Sequence, residues 1–175
     1  MKDRAFTLLE VVISVVILAV GVLAFMGMVR SSKAAVEISE QRGLAVRSGE
    51  KLVQLMTSEL MQSSLDEDLS LPLPEQRRMW VADGQIHFQK VSGDAMNAGA
   101  RTTVWSDRIT YRHDEGERAV RRETAGGESV VIARNVEDFV VRTDPGGLVF
   151  VRVDVGQGGA RHIAVARVRP RNGLR

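Results

Sequence analysis

The chain contains no cysteine in its 175 residues. That excludes a lipid anchor on an N-terminal cysteine; it is compatible with an oxidising compartment without pointing to one. Proline is scarce too, with four in all. None lies between Arg30 and Ser64, so nothing there forbids a continuous helix. Acidic residues stop at Asp154, while Arg161, Arg167, Arg169, Arg171 and Arg175 accumulate after it. Long-period repeats and low-complexity tracts are absent. So are G-x-S-x-G, P-loop and dinucleotide signatures. A formal charge of +2 and 44% hydrophobic residues fit one modest domain and argue against disorder.

What is present is concentrated at the N-terminus. A short basic leader holding Lys2 and Arg4 runs into an apolar stretch from Phe6 to Val29, in which only Thr7, Glu10 and Ser14 are polar. About 20 apolar residues suffice to cross a bilayer as a helix. A cleaved secretory signal would have a shorter apolar core followed by a small-x-small site, and here the apolar run passes straight into a polar helical pattern. A plain signal anchor would leave Glu10 unexplained. A carboxylate inside such a span costs on the order of 3 kcal/mol, so it needs a partner. A protonated α-amine, which titrates near pH 8, could serve and would offset much of the desolvation cost. The simpler alternative is an acid tolerated near the headgroups.

Ala5-Phe6-Thr7-Leu8-Leu9-Glu10, with the basic leader before it and the apolar helix after it, resembles the N-terminal signature shared by type IV pilins, minor pilins and type II secretion pseudopilins. The resemblance implies that a prepilin peptidase cuts between Ala5 and Phe6 and methylates the new amine of Phe6. It also implies that Glu10 meets the N-terminal amine of a neighbouring subunit during assembly. The residue before the cut is usually Gly in that family; Ala5 is also small, and processing is expected. Lys2 and Arg4 favour a cytoplasmic N-terminus. The folded part is then expected on the periplasmic side of the inner membrane.

Beyond the membrane the helix is expected to continue over residues 30–65. Ile38, Ala45, Gly49, Leu52, Met56 and Leu60 recur at helical spacing on one face, with Glu37, Glu40, Arg47, Glu50, Lys51 and Glu59 opposite. Gly21, Gly27, Gly43 and Gly49 weaken a helix by about 1 kcal/mol each relative to alanine. At Gly21 and Gly27, local bending on moving from bilayer to filament and simple tolerance are both open; at Gly43 and Gly49 simple tolerance is the better account, aided at Gly49 by close backbone packing. Residues 66–78 read as a linker, with Pro72 and Pro74 ending the helix. Asp66-Glu67-Asp68 lacks the ligand spacing of a calcium loop and reads as a solvated helix end.

From residue 79 the pattern is that of strands. Asp83-Gly84 marks a hairpin between residues 79–83 and 85–91. Residues 92–101 read as a flexible loop. Residues 103–113 and 118–123 bracket a turn at Asp114-Glu115-Gly116. Residues 129–133 and 136–142 follow, and then 148–155 and 162–169 around Gly156-Gln157-Gly158-Gly159. Val149, Val151, Val153 and Val155 alternate with Phe150, Arg152 and Asp154, so one face is buried. The fold class is α+β, a long helix on a C-terminal antiparallel sheet over residues 79–175. Residues 109–123 and 132–139 look similar to W-type minor pilins and J-type pseudopilins, whereas Gly21-Val22-Leu23-Ala24 looks more like V-type minor pilins.

No catalytic or metal constellation emerges. His87, His113 and His162 fall on separate strands and read as solvated strand-edge residues, with His113 beside a turn. Trp80 and Trp105 are expected to pack in the sheet or against the helix. The basic C-terminal end could contact DNA phosphates or an acidic neighbouring subunit. A solvated strand and tail is the plainer reading, because no aromatics interleave. The sequence therefore reads as a minor pilin or minor pseudopilin that helps initiate or cap a filament, with no enzymatic activity, cofactor, metal or small-molecule substrate. Its expected partners are the prepilin peptidase and other pilins or pseudopilins. An unprocessed, signal-anchored periplasmic binding or enzymatic domain is the alternative, and a major filament subunit a third.

Overall fold

The computed structural model describes residues 7–64, 77–97 and 100–171. The leader, most of the linker with its acidic triplet and prolines, and the final tail with Arg175 lie outside the described residues. Among the described residues one helix, α1 (Leu8–Leu60), precedes ten strands. The chain divides into two compact units, residues 1–40 and residues 41–175.

In the first unit α1 is apolar over residues 8–29, and every residue from Thr7 to Glu40 is exposed. Its best 18-residue window has a mean hydropathy of 2.8 and no buried residue. Residues 8–29 rise about 33 Å at 1.5 Å per residue, which matches a hydrocarbon core about 30 Å thick. Valine and isoleucine are mediocre helix formers in water. In lipid the backbone must satisfy its own polar groups, and a helix does so.

The second unit holds residues 41–60 of α1 and all the strands. A five-stranded sheet runs in the order β1 (Met79–Ala82), β2 (Gln85–Phe88), β5 (Ile109–Asp114), β6 (Ala119–Thr124), β7 (Ser129–Arg134). A second sheet has the order β10 (Ala160–Val168), β9 (Val149–Gln157), β8 (Val136–Thr143). Every pairing is antiparallel. The α+β class is as expected, with two main sheets where the sequence suggested one.

The face of α1 that the spacing picked out is buried at Ala45, Gly49, Leu52, Met56 and Leu60. Ile38 is exposed and belongs to the first unit. Glu59 corrects the reading more sharply: it was placed on the polar side and is only 6% exposed. The alternating valines of β9 are all buried, and Leu52, Met56, Leu60, Phe88 and Tyr111 complete the same core. Burying each large side chain contributes about 1.5–3 kcal/mol. At Gly49 the helix packs closely on the sheet. A Cβ there would sit 3.2 Å from His162, 3.3 Å from Ala164 and 3.5 Å from Val155, whereas Gly43 has nothing within 4 Å. Gly49→Leu is therefore expected to cost about 1–3 kcal/mol through overpacking. Gly43→Ala should gain up to about 1 kcal/mol of helix propensity. Denaturation midpoints of the full chain in detergent check both.

The helix stops at Leu60, ahead of the prolines. Gln62 donates to the Glu59 carbonyl (3.0 Å) and Ser63 to that of Leu60 (3.1 Å), a tightened final turn. The Ser63 hydroxyl also donates to the Leu60 carbonyl at 2.7 Å. The backbone then joins the strands, with Val91 donating to the Gln62 carbonyl and a bridge between Ser63 and Lys90. Residues 92–101 are not a flexible loop. They lie mostly in β3 (Val91–Asn97) and β4 (Ala100–Trp105), a two-stranded ribbon with a bulge between Val91 and Gly93. Gly, Ala and Asn supply no alternation, so backbone pairing builds this ribbon without a side-chain signal. The span 103–113 is likewise two strands, broken at residues 106–108 between β4 and β5.

Candidate functional site

The start of α1 is organised by two side chains. The Thr7 backbone N–H donates to Glu10 Oε2 at 2.9 Å and the Thr7 hydroxyl donates to the same oxygen at 3.1 Å. In return the Glu10 N–H donates to Thr7 Oγ1 at 3.3 Å. This is a capping box, which satisfies orphan donors of the first turn reciprocally. The Thr7-x-x-Glu10 spacing signals it in the sequence, and reading Glu10 only as a charge overlooked it. The carboxylate sits where the helix dipole favours negative charge, and its Oε1 has no partner among the described residues. One carboxylate thus caps its own helix through a single oxygen. Ser14 turns its hydroxyl back to the Glu10 carbonyl at 2.7 Å, which removes one polar group from the apolar surface. Ala5 and Phe6 lie outside the described residues.

The second carboxylate of consequence is buried in the folded domain. Glu59, near the end of α1, accepts from Tyr111 Oη at 2.8 Å, from Arg122 at 3.1 and 3.0 Å, and from Lys90 Nζ at 3.1 Å. Lys90 precedes β3, Tyr111 is on β5 and Arg122 on β6, so one carboxylate joins the helix end to three places in the sheet region. Burial pushes the Glu59 carboxyl up, but the hydrogen bonds from Arg122, Tyr111 and Lys90 outweigh it and hold it below the ordinary value. Burial first, then the Glu59 charge, push the Tyr111 phenol far up, so it remains a donor. Because the folded-state value of Glu59 is lowered, its stabilisation is complete above the unfolded value of about 4.5 and fades as pH falls through the folded value. Glu59→Gln should therefore lose most relative to wild type near neutral pH, with the gap narrowing below about pH 4; denaturation midpoints against pH check this. The sequence offered no direct signal for the cluster, since its members lie far apart in the chain.

The histidines are dispersed as expected, yet they are half-buried and bonded rather than freely solvated. His87 bonds Thr110 Oγ1 at 2.9 Å and His162 meets Glu50 at 3.3 Å. His113 lies in β5, and its Nε2 donates to the Val136 carbonyl at 3.0 Å. Burial, and then the nearby Arg108 charge, pull His87 below the usual imidazole range. Trp80 stacks on His87 across β1–β2, with centroids 4.8 Å apart, and the Arg108 guanidinium lies over the Trp80 ring at 4.9 Å. Trp105 carries Arg78 at 4.8 Å. Among the described residues no three His, Asp or Glu side chains gather as a metal site.

Residues 1–26 match the family model described as the prokaryotic N-terminal methylation motif. This is the prepilin-type signal of the type IV pilin family, and the apolar helix follows directly behind it, so the N-terminal part of the chain is similar to that of pilins and pseudopilins. Such a signal implies processing by a prepilin peptidase and pilin-type assembly, and the apolar helix fits membrane anchoring. No curated protein and no solved structure matches the chain.

Proposed function

We propose that the chain is a minor pilin or minor pseudopilin, a structural subunit without enzymatic activity that helps initiate or cap a type IV pilus-like or type II secretion filament. In this reading the peptidase cuts between Ala5 and Phe6 and methylates Phe6. The N-terminus starts in the cytoplasm and the folded domain in the periplasm. The chain leaves the bilayer when its apolar helix joins those of other subunits, and the neighbour's N-terminal amine meets Glu10.

The observation that carries this reading is the start of α1. A carboxylate with a spare oxygen stands at the head of an apolar helix exposed on every side. An exposed helix of this kind needs lipid or other helices around it, and the carboxylate needs a cation. The minor role is supported by the likeness of residues 109–123 and 132–139 to minor subunits. Deleting the gene in its native host tests it. An initiating or capping subunit predicts few filaments in the deletion strain while the major subunit is still made, and in the undeleted host this chain should be scarce in the sheared fraction. A chain that dominates that fraction would be a major subunit. Unchanged filament number and secretion would favour an anchored domain with another task.

A further inference from the structure

Among the described residues the outer edge of β10 is open. β10 ends its sheet and pairs only with β9, and no other described backbone group bonds to it. Its pairing with β9 runs from Ala160 to Val168 without a bulge, whereas β3–β4, β6–β7 and β8–β9 each contain a register shift. It holds no proline and no lysine, two devices by which exposed edges avoid pairing.

The turn before it fixes which groups face outward. Gly158 and Gly159 have φ of +55° and +87°, a two-residue turn of the type whose flanking residues exchange both hydrogen bonds. The bonded pair is therefore Gln157–Ala160, and alternate pairs follow along the ladder. The backbone N–H and C=O of Arg161, Ile163, Val165 and Arg167 then point away from β9 toward the open edge. Their side chains share the outer face, where Ile163 and Val165 are 50% and 52% exposed. Arg161 and Arg167 flank that apolar pair and are exposed as well.

We propose that this edge receives an extended segment of another protein as an added strand, the segment carrying the pattern acid-x-apolar-x-apolar-x-acid. Main-chain bonds would supply affinity, and the outer-face side chains would supply selectivity. Charge favours this occupant over a second copy of the chain. Two β10 strands paired antiparallel about Ala164 would set Arg161 of each opposite Arg167 of the other, and like charges directly opposite are destabilising. Arg161 is engaged by Asp154 at 2.6 Å and Glu137 at 3.1 Å, whereas Arg167 has no ion pair among the described residues. Arg142 lies on the same face, two strands away across Phe150, and adds to the positive field. The proposal uses the folded domain alone and does not depend on the filament reading.

The test is binding of a labelled peptide, Glu-Thr-Val-Thr-Val-Thr-Glu with blocked ends, to the full chain in detergent micelles. The control is its Lys-ended counterpart. The expected result is saturable binding of the first peptide, about tenfold weaker binding of the second, and slower amide exchange at Ile163 and Val165. Val165→Pro removes an outward N–H while sparing the ladder to β9, and should abolish binding. Arg167→Glu, a surface change that keeps the test valid should Val165→Pro misfold, should remove the preference for the acidic peptide. Equal binding of both peptides, binding indifferent to Arg167→Glu, no saturable binding, or displacement of the peptide by self-association would each overturn the proposal.

Discussion

Replacing Glu59 by alanine is expected to destabilise the folded domain by about 3 kcal/mol, among the largest single-residue effects in the molecule. The physical reason is asymmetry. A buried ion pair contributes modestly against a well-packed apolar alternative, but removing one partner strands the other. Here the stranded groups would be the Arg122 guanidinium, the Lys90 ammonium and the Tyr111 hydroxyl, all aimed at the same carboxylate. The side chains of Lys90 and Arg122 keep 30% and 18% exposure, so water relieves part of the penalty and the value falls at the lower end of the usual range. Glu59→Gln keeps an acceptor for Tyr111 and should lose less. The double change Glu59→Leu with Arg122→Met should recover part of the loss, because both charges leave together. Denaturant midpoints of the four chains measure this. A loss below about 1 kcal/mol for the alanine variant would mean that the cluster is well hydrated.

The second large effect is expected at Glu10, where two roles can be separated. Glutamine at this position preserves the capping box with Thr7, since Glu and Gln serve equally there, but abolishes the charge. Thr7→Val does the reverse: it removes the cap, worth about 1 kcal/mol, and keeps the carboxylate. If Glu10 acts as the partner of a neighbour's amine, Glu10→Gln should leave membrane insertion and processing intact yet remove the chain from the filament by tenfold or more. A loss of that size reflects the roughly 3 kcal/mol at stake for an unpaired charge in an apolar setting. Thr7→Val should assemble nearly as well as wild type. Immunoblots of membrane and sheared-filament fractions read both. If Thr7→Val fails and Glu10→Gln assembles, Glu10 serves the helix start alone.

The contrast between these two carboxylates shows what the sequence could and could not reveal. Glu10 was conspicuous because it interrupts an apolar run, a purely local anomaly. The α1 face formed by Ala45, Leu52, Met56 and Leu60 was legible for a similar reason, since helical spacing is written within a few turns. The β9 valines and the Asp83-Gly84 hairpin were legible from alternation and turn chemistry. Glu59 looked like one more charge on a solvated face, because its partners come from three later places in the chain. Only the tertiary fold brings Lys90, Tyr111 and Arg122 to one carboxylate. Asp154 was hidden in the same manner: alternation placed it outward with Arg152, yet Arg161 covers it and it is buried. The β3–β4 ribbon was missed because its residues carry no hydrophobic period, and the partition into two sheets is a matter of long-range register. The Thr7–Glu10 cap, by contrast, was readable from spacing alone.

The most direct measurement of the central claim is the intact mass and N-terminal sequence of the protein recovered from its native membrane. A prepilin-type subunit is expected to begin at N-methyl-Phe6, with residues 1–5 gone. A chain that keeps its intact N-terminus, in cells whose other prepilins are processed, would contradict assembly into a filament and leave a signal-anchored domain in its place.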